Sequence, residues 1–218
     1  MQRNPQTNPY KKLISSSIKN LLLDLGGVII DIEPIRVAQS FAGLSSQELS
    51  WVRYQIEAKQ LFYKYETGAW TDDEFRRCIK QLLDVPLTDE QIDYAWNSML
   101  LNIPQERIDL LLKLRKQYNL YLLSNTNAIH IHKVNTILQK QAAIADLETL
   151  FDKTYYSHQI GHSKPSLACY RYVLNDCGAL PQETLFIDDN ADNIAGAKQL
   201  GIQTVLIQPP VTLIDLFH

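Results

Sequence analysis

The stretch "LLLDLGGVIID" (residues 21–31) carries one acid, Asp24, out of an apolar run and straight into two glycines. A run of this length suits a strand buried on both faces of a parallel sheet. Either the strand simply stops at Asp24, or it exists to hold that carboxylate still. The run "IKNLLLD" (18–24) is followed by four more: "NLYLLSN" (119–125), "KTYYS" (153–157), "TLFIDD" (184–189) and "QTVLIQ" (203–208). Between them, residues 126–141 and 166–177 space apolar residues at three and four, and 190–201 runs from a capping Asn190 to a terminating Gly201. Strand and helix in alternation predict an α/β fold, doubly wound around a mainly parallel sheet.

One interval breaks the rhythm. Residues 35–101 read as helices only, in "SSQELSWVRYQI", "EAKQLFYKYETG", "TDDEFRRCIKQLL" and "TDEQIDYAWNSML". Ser45, Thr71 and Thr88 stand ahead of Glu48, Glu74 and Glu90, which reads as capping chemistry. The interval is too long for a crossover, so it is predicted as a small helical domain inserted after strand one. The helix "PQERIDLLLKLRKQ" (104–117) then leads back into the sheet. The expected organisation is a polar N-terminal arm (1–17), an α/β core (18–34 and 102–218) and the helical insert (35–101).

Composition narrows the function classes. The 218 residues are 45% hydrophobic and 21% charged, enough for a full core. A net charge of −3 offers no basic face for a nucleic acid or an anionic membrane. No apolar run reaches the roughly 18 residues of a membrane span, and Asp24 interrupts the run that a signal peptide would need. Cys78, Cys169 and Cys177 form no CxxC pattern and read as reduced packing residues, so a cytoplasmic location is expected.

Ligands of open α/β sheets bind beyond the carboxyl ends of the strands. Strand one ends on Asp24, strand two on Ser124 and Asn125, and strand four on Asp188 and Asp189; Lys164 follows strand three in "IGHSKPS". Taken singly, the serine reads as a turn or cap, the lysine before proline as solvated, and the acid pair as an N-cap cluster. Four strand ends carrying reactive side chains together are hard to assign to capping. Three carboxylates repel one another in a partly desolvated pocket. Mg²⁺, a hard cation held by carboxylates and substrate phosphate, relieves that repulsion. With Lys164, the charges sum to roughly zero, so the site accepts a phosphate group.

The motifs "LLLDLGGV", "LLSNT", "SKP" and "FIDDNADN" occur in the order found in the haloacid dehalogenase (HAD) superfamily of phosphohydrolases, which the chain resembles from residue 18 to about 208. The insert matches that family's helical cap. Within the family, "DLGGVIIDIE" and "FIDDNADNIAGAKQLGI" look most similar to bacterial sugar-phosphate phosphatases of the α-glucose-1-phosphate phosphatase type. The resemblance implies that Asp24 is a nucleophile that becomes an aspartyl phosphate. It implies that Ser124, with Asn125, binds the phosphoryl oxygens and that Lys164 neutralises charge. Mg²⁺ would be held by Asp24, Asp188, Asp189 and the Gly26 carbonyl. The substrate would be a small phosphorylated molecule, hydrolysed by positioning and charge neutralisation.

The chain departs from the family at Gly26, where phosphatases usually carry a second Asp that protonates the leaving group and then activates water. Such help is worth roughly 10²–10⁴-fold. Three readings follow. The substrate's leaving group needs little protonation, as in an anomeric sugar phosphate, or Asp31, Glu33 or a cap residue substitutes. Alternatively the chemistry is that of a dehalogenase or phosphonatase, which also lack that Asp. Or the site belongs to a binding protein that turns over poorly. The retained acid pair argues against dehalogenation, and Lys59 and Lys64 in "EAKQLFYKYETG" read as solvated lysines, not Schiff-base formers. Only one motif residue is absent, which favours the enzyme.

The cap aromatics Trp51, Tyr54, Phe62, Tyr63, Tyr65, Trp70 and Phe75 read mostly as the cap's own core. "HIH" (130–132) reads as surface histidines, and His158 and His162 as loop residues. Oligomeric state and the exact substrate are not legible.

Overall fold

β1 (Asn20–Leu23) is the middle strand of a five-stranded parallel sheet in the order β3-β2-β1-β4-β5, with β2 (Asn119–Ser124), β3 (Lys153–Tyr156), β4 (Thr184–Asp188) and β5 (Gln203–Leu206). The computed structural model describes residues 14–217. Leu22 lies beside Tyr121 on one side and Phe186 on the other. Successive side chains of a strand point to opposite faces, and β1 buries both. Leu21 and Leu23 join Ile108, Leu111, Val134 and Leu138 in one cluster. Leu22 joins Tyr170, Val173, Ile194 and Ala197 in another. Those residues come from α6 (Gln105–Leu114) and α7 (Ala128–Ala142) on the first face, and from α9 (Leu167–Cys177) and α10 (Ala191–Lys198) on the second. The fold is therefore doubly wound, and the order of connections reverses at β1.

Between β1 and β2 come α1 (Ile35–Ser45), α2 (Leu49–Ala58), α3 (Leu61–Glu66), α4 (Asp72–Leu83) and α5 (Asp89–Asn97). These helices close on a separate apolar cluster around Phe41, Tyr65, Phe75 and Trp96. The Tyr65 and Phe75 rings stack at 4.4 Å, and Trp96 tilts against Phe75 at 4.5 Å. The two linkers to the sheet run side by side. Ile32 bridges Leu100 in antiparallel fashion, with Asp31 N–H donating to Asn102 O, Leu101 N–H to Asp31 O and Glu33 N–H to Met99 O.

Several local expectations need correction. Thr71 forms a capping box with Glu74 as expected, but Thr88 pairs with Gln91, not Glu90, because the box closes on the third helical residue. Ser45 caps nothing: its hydroxyl donates to Phe41 O in the last turn of α1, and α2 starts without a side-chain cap. "EAKQLFYKYETG" is two helices, because Gln60 takes a left-handed conformation (φ 52°) between α2 and α3. Tyr54 and Tyr63 are exposed and belong to no core. Strand three stops at Tyr156, where Ser157 opens the short α8 (Ser157–Ile160). Of the expected arm, residues 1–13 lie outside the described residues, while Ile14 already packs against the sheet core. Among the described residues, no helix is long and apolar enough to cross a membrane.

Candidate active site

The ladder of β1 continues one residue past the strand, with Asp24 N–H donating to Ile187 O at 3.0 Å, so the sheet itself fixes the backbone of Asp24. β2 ends on Ser124 and β4 on Asp188, its immediate neighbours. Lys164 reaches the same point from the loop after α8. Its ammonium donates to Asp24 Oδ1 at 2.6 Å, Asp188 Oδ2 at 2.8 Å and Leu123 O at 2.9 Å. Sequence alone favours a solvated lysine before proline; here it is buried, with all three protons placed. Asn125 accounts for this. Its amide accepts from the Lys164 N–H and donates to the Lys164 carbonyl, both at 2.9 Å, and so clasps the lysine backbone.

Asp188 is saturated. Oδ1 accepts from Asn190 N–H and Oδ2 from Lys164, while Asn193 Nδ2 lies 3.0 and 3.1 Å from the two oxygens. The "NADN" stretch thus caps α10 through Asn190 and also holds the acid before it. Asp189 is half-buried and presses on the turn after β1. A Cβ on Gly27 would stand 2.2 Å from Asp189 Oδ2, and Gly27 has φ +72°. This answers the question posed by the double glycine. Gly27 gives up its side chain so that Asp189 can reach the rim. Gly26 has an ordinary φ, and a Cβ there would meet Ile32 Cδ1 at 3.0 Å. Its carbonyl accepts none of the turn's backbone hydrogen bonds.

Asp24, Asp188 and Asp189 offer carboxylate oxygens that all lie within 4.8 Å of one another. Burial raises the Asp24 pKa, Lys164 opposes the rise and Asp188 adds to it, carrying it from 3.8 up to about 7. Burial and Asp188 also push Asp189 upward. Burial works against the Lys164 charge, but the two carboxylates together outweigh it and hold its pKa above the ordinary lysine range. The cluster carries an excess of negative charge that one lysine does not cancel. A divalent cation fits that donor set and would keep Asp24 ionised. Among the described residues, the Ser124 hydroxyl makes no hydrogen bond with the protein, which leaves it available to a ligand.

Sequence reasoning missed Glu66. It ends α3 in the helical insert, is partly buried, and has no hydrogen-bond partner among the described residues. Burial raises its pKa, Lys164 opposes the rise and Asp24 adds to it, with the result at about 8. Its charge is therefore felt at the rim. Gly68, two residues on, has φ +72°, and a Cβ there would stand 2.4 Å from His158 O, so this end of α3 docks backbone to backbone on the core. The signal was "YETG": an acid just before a helix-terminating Gly is placed by the turn that follows, not by the amphipathic pattern.

The other candidates stand apart. Asp31 pairs with the buried Arg107 at 2.8 Å, and Glu33 is an exposed partner of Arg36. Lys59 is exposed, and Lys64 lies over the Trp70 ring at 5.2 Å. His130, expected at the surface, is buried. It stacks on Trp96 at 5.2 Å, bonds Trp96 O and Asn127, and is held neutral by burial with a pKa near 4. It fastens α5 to the start of α7. His132 is exposed, and His158 bonds Thr126 O. A cavity of about 510 Å³ follows the seam between insert and core, lined by Tyr65, Trp70, Asp72, Arg76 and His158 among others. A larger one of about 830 Å³ lies between α1, α2 and α3, and none of the rim residues lines either cavity.

A carboxylate paired with a buried lysine at a topological switch point, beside two further acids, defines a doubly wound α/β hydrolase. The chain belongs to the haloacid dehalogenase-like hydrolase family, whose description matches residues 18–201. It is 34% identical over 187 residues to a D-ribitol-5-phosphate phosphatase of Bacteroides thetaiotaomicron, covering 86% of this chain and 90% of the relative. A solved HAD family enzyme from the same organism superposes with a TM-score of 0.86 at 38% identity, over 92% of this chain and 98% of that one. A wild-type structure of a HAD family enzyme from that organism holds magnesium and inorganic phosphate, with a TM-score of 0.81, 38% identity, and 92% and 100% of the two chains covered.

Proposed function

We propose that the protein is an Mg²⁺-dependent phosphatase of a small sugar or polyol phosphate, working through an aspartyl phosphate on Asp24. The observation that carries this reading is the approach of Lys164 to Asp24 at 2.6 Å, inside a cluster whose three acids converge within 4.8 Å. Asp24 attacks phosphorus. Lys164 keeps the attacking carboxylate oriented through its short bond, and Ser124, with the Asn125 backbone, binds the phosphoryl oxygens. Asp24, Asp189, Asp188 and the Gly26 carbonyl would hold Mg²⁺, which neutralises the charge shared by carboxylate and phosphate. The five-helix insert serves as a cap that excludes water during transfer.

The relative that acts on D-ribitol 5-phosphate supports a polyol phosphate as substrate. This is a more specific suggestion than the α-glucose-1-phosphate type, and a chemically different one: a primary alkoxide leaves less readily than an anomeric one. A phosphorylated metabolite and three free cysteines accord with a cytoplasmic location. The test is phosphate release from a panel of sugar and polyol phosphates with and without Mg²⁺, for wild type and Asp24→Asn. Release that needs Mg²⁺ and falls at least about 10⁴-fold in Asp24→Asn is expected. A wild type that binds Mg²⁺ but releases no phosphate would point to the binding-protein reading.

A further inference from the structure

We propose that Glu66 is the catalytic acid and base of this enzyme, delivered from the helical insert in place of the side chain missing at Gly26. The inference rests on the phosphatase reading above and adds to it the residue that handles the proton.

Elimination and placement lead to the same residue. The core offers no substitute: Asp31 is bound to Arg107 and Glu33 to Arg36, while Asp188 and Asp189 are committed to the metal in the reading above. Ile32 occupies the space that a side chain at position 26 would enter. Glu66 ends α3 two residues before Gly68, where the insert meets α8; its charge interacts with both Asp24 and Lys164, and nothing in the described protein bonds its carboxyl group. An unpartnered carboxyl at a partly buried position is costly, and the cost falls when a substrate oxygen becomes its partner. In the docked insert its place is set by the Gly68–His158 approach, which holds the end of α3 against α8.

The chemistry balances. In the first step an Asp24 oxygen bonds to phosphorus, the bond from phosphorus to the alcohol oxygen breaks, and the Glu66 proton passes to that oxygen. In the second, water gives a proton to the Glu66 carboxylate and its oxygen bonds to phosphorus. The acyl-phosphate bond then breaks back to Asp24. Glu66 regains its proton and phosphate leaves.

The test compares two leaving groups in Glu66→Gln. One is D-ribitol 5-phosphate, whose primary alkoxide needs a proton. The other is p-nitrophenyl phosphate, whose phenolate leaves without one. The expected result is a loss of about 10²–10⁴-fold in kcat/KM on the alkyl phosphate and a much smaller loss on the aryl phosphate. The aryl substrate should also show a burst of p-nitrophenolate followed by slow turnover, because the second step lacks its base. Glu66→Asp keeps the carboxyl group on a shorter arm and should recover part of the alkyl-phosphate activity. Equal losses on both substrates, or no loss on either, would overturn the proposal while leaving the phosphatase reading intact if Asp24→Asn is inactive. A wild type inactive on every phosphate would instead overturn the phosphatase reading.

Discussion

The rim of the sheet and the helical insert place their charges in opposite ways. At the rim, Lys164 and Asp188 are bound on every side: Lys164 spends its three protons on Asp24, Asp188 and a carbonyl, and Asp188 takes bonds from Asn190, Asn193 and Lys164. In the insert, Glu66 bonds to nothing in the described protein while sensing that same rim. Preorganised groups stabilise charge with little rearrangement during reaction. A group that must give up and regain a proton needs the opposite, an open valence facing the substrate. The contrast suggests a division of labour, in which the core prepares a charged cradle and the insert brings the proton.

The largest test of this contrast is Lys164→Met. Removing one partner of a buried charged cluster costs about 3–5 kcal/mol. Urea denaturation should show that loss in metal-free protein, and Mg²⁺ should restore part of it; equal stability in both proteins would mean the rim is not electrostatically held. Next comes Gly27→Ala. A non-glycine residue at φ +72° costs about 1–3 kcal/mol, and the added Cβ would displace Asp189. Calorimetric titration should show weakened Mg²⁺ affinity, and unchanged affinity would remove Asp189 from the metal site. The smallest signal is a pH slope. A carboxyl whose pKa is raised on folding keeps its proton in the folded chain where the unfolded chain has lost it. The stability it contributes is present at low pH and fades as pH rises from about 4.5 to about 8 for Glu66. In chelator, Glu66→Gln should flatten the fall in stability by less than roughly 1 kcal/mol per pH unit after solvent screening. Parallel pH profiles for the two proteins would show that Glu66 does not carry its proton in the folded state.

The rim was legible in the sequence because strands deliver residues to predictable places. Asp24, Ser124, Asp188 and Asp189 follow apolar runs, and a parallel sheet collects the ends of such runs. Lys164 was legible only jointly with them, since the clasp from Asn125 that buries it joins residues 39 apart in the chain. Glu66 was not legible from helical periodicity, which says which face of a helix is apolar and nothing about what lies across a gap from its last turn; only the turn in "YETG" marked it. His130 failed for a related reason: its burial depends on Trp96, which comes from a different helix. The break at Gln60 left no mark either, since glutamine carries no signal for a left-handed turn.

The paired linkers have a mechanical consequence. Two separate strings between sheet and helices would let the insert slide, twist and tilt. Residues 31–33 and 99–102 are instead stitched into one short ribbon by three backbone hydrogen bonds. A ribbon bends readily out of its plane and resists shear within it. The linkers therefore act as a single flexure, and the softest movement they permit is a tilt. Glu66, far from the ribbon in sequence and docked at Gly68, would travel on the swinging edge of that tilt, so access for a substrate and removal of the proton donor would be one and the same motion.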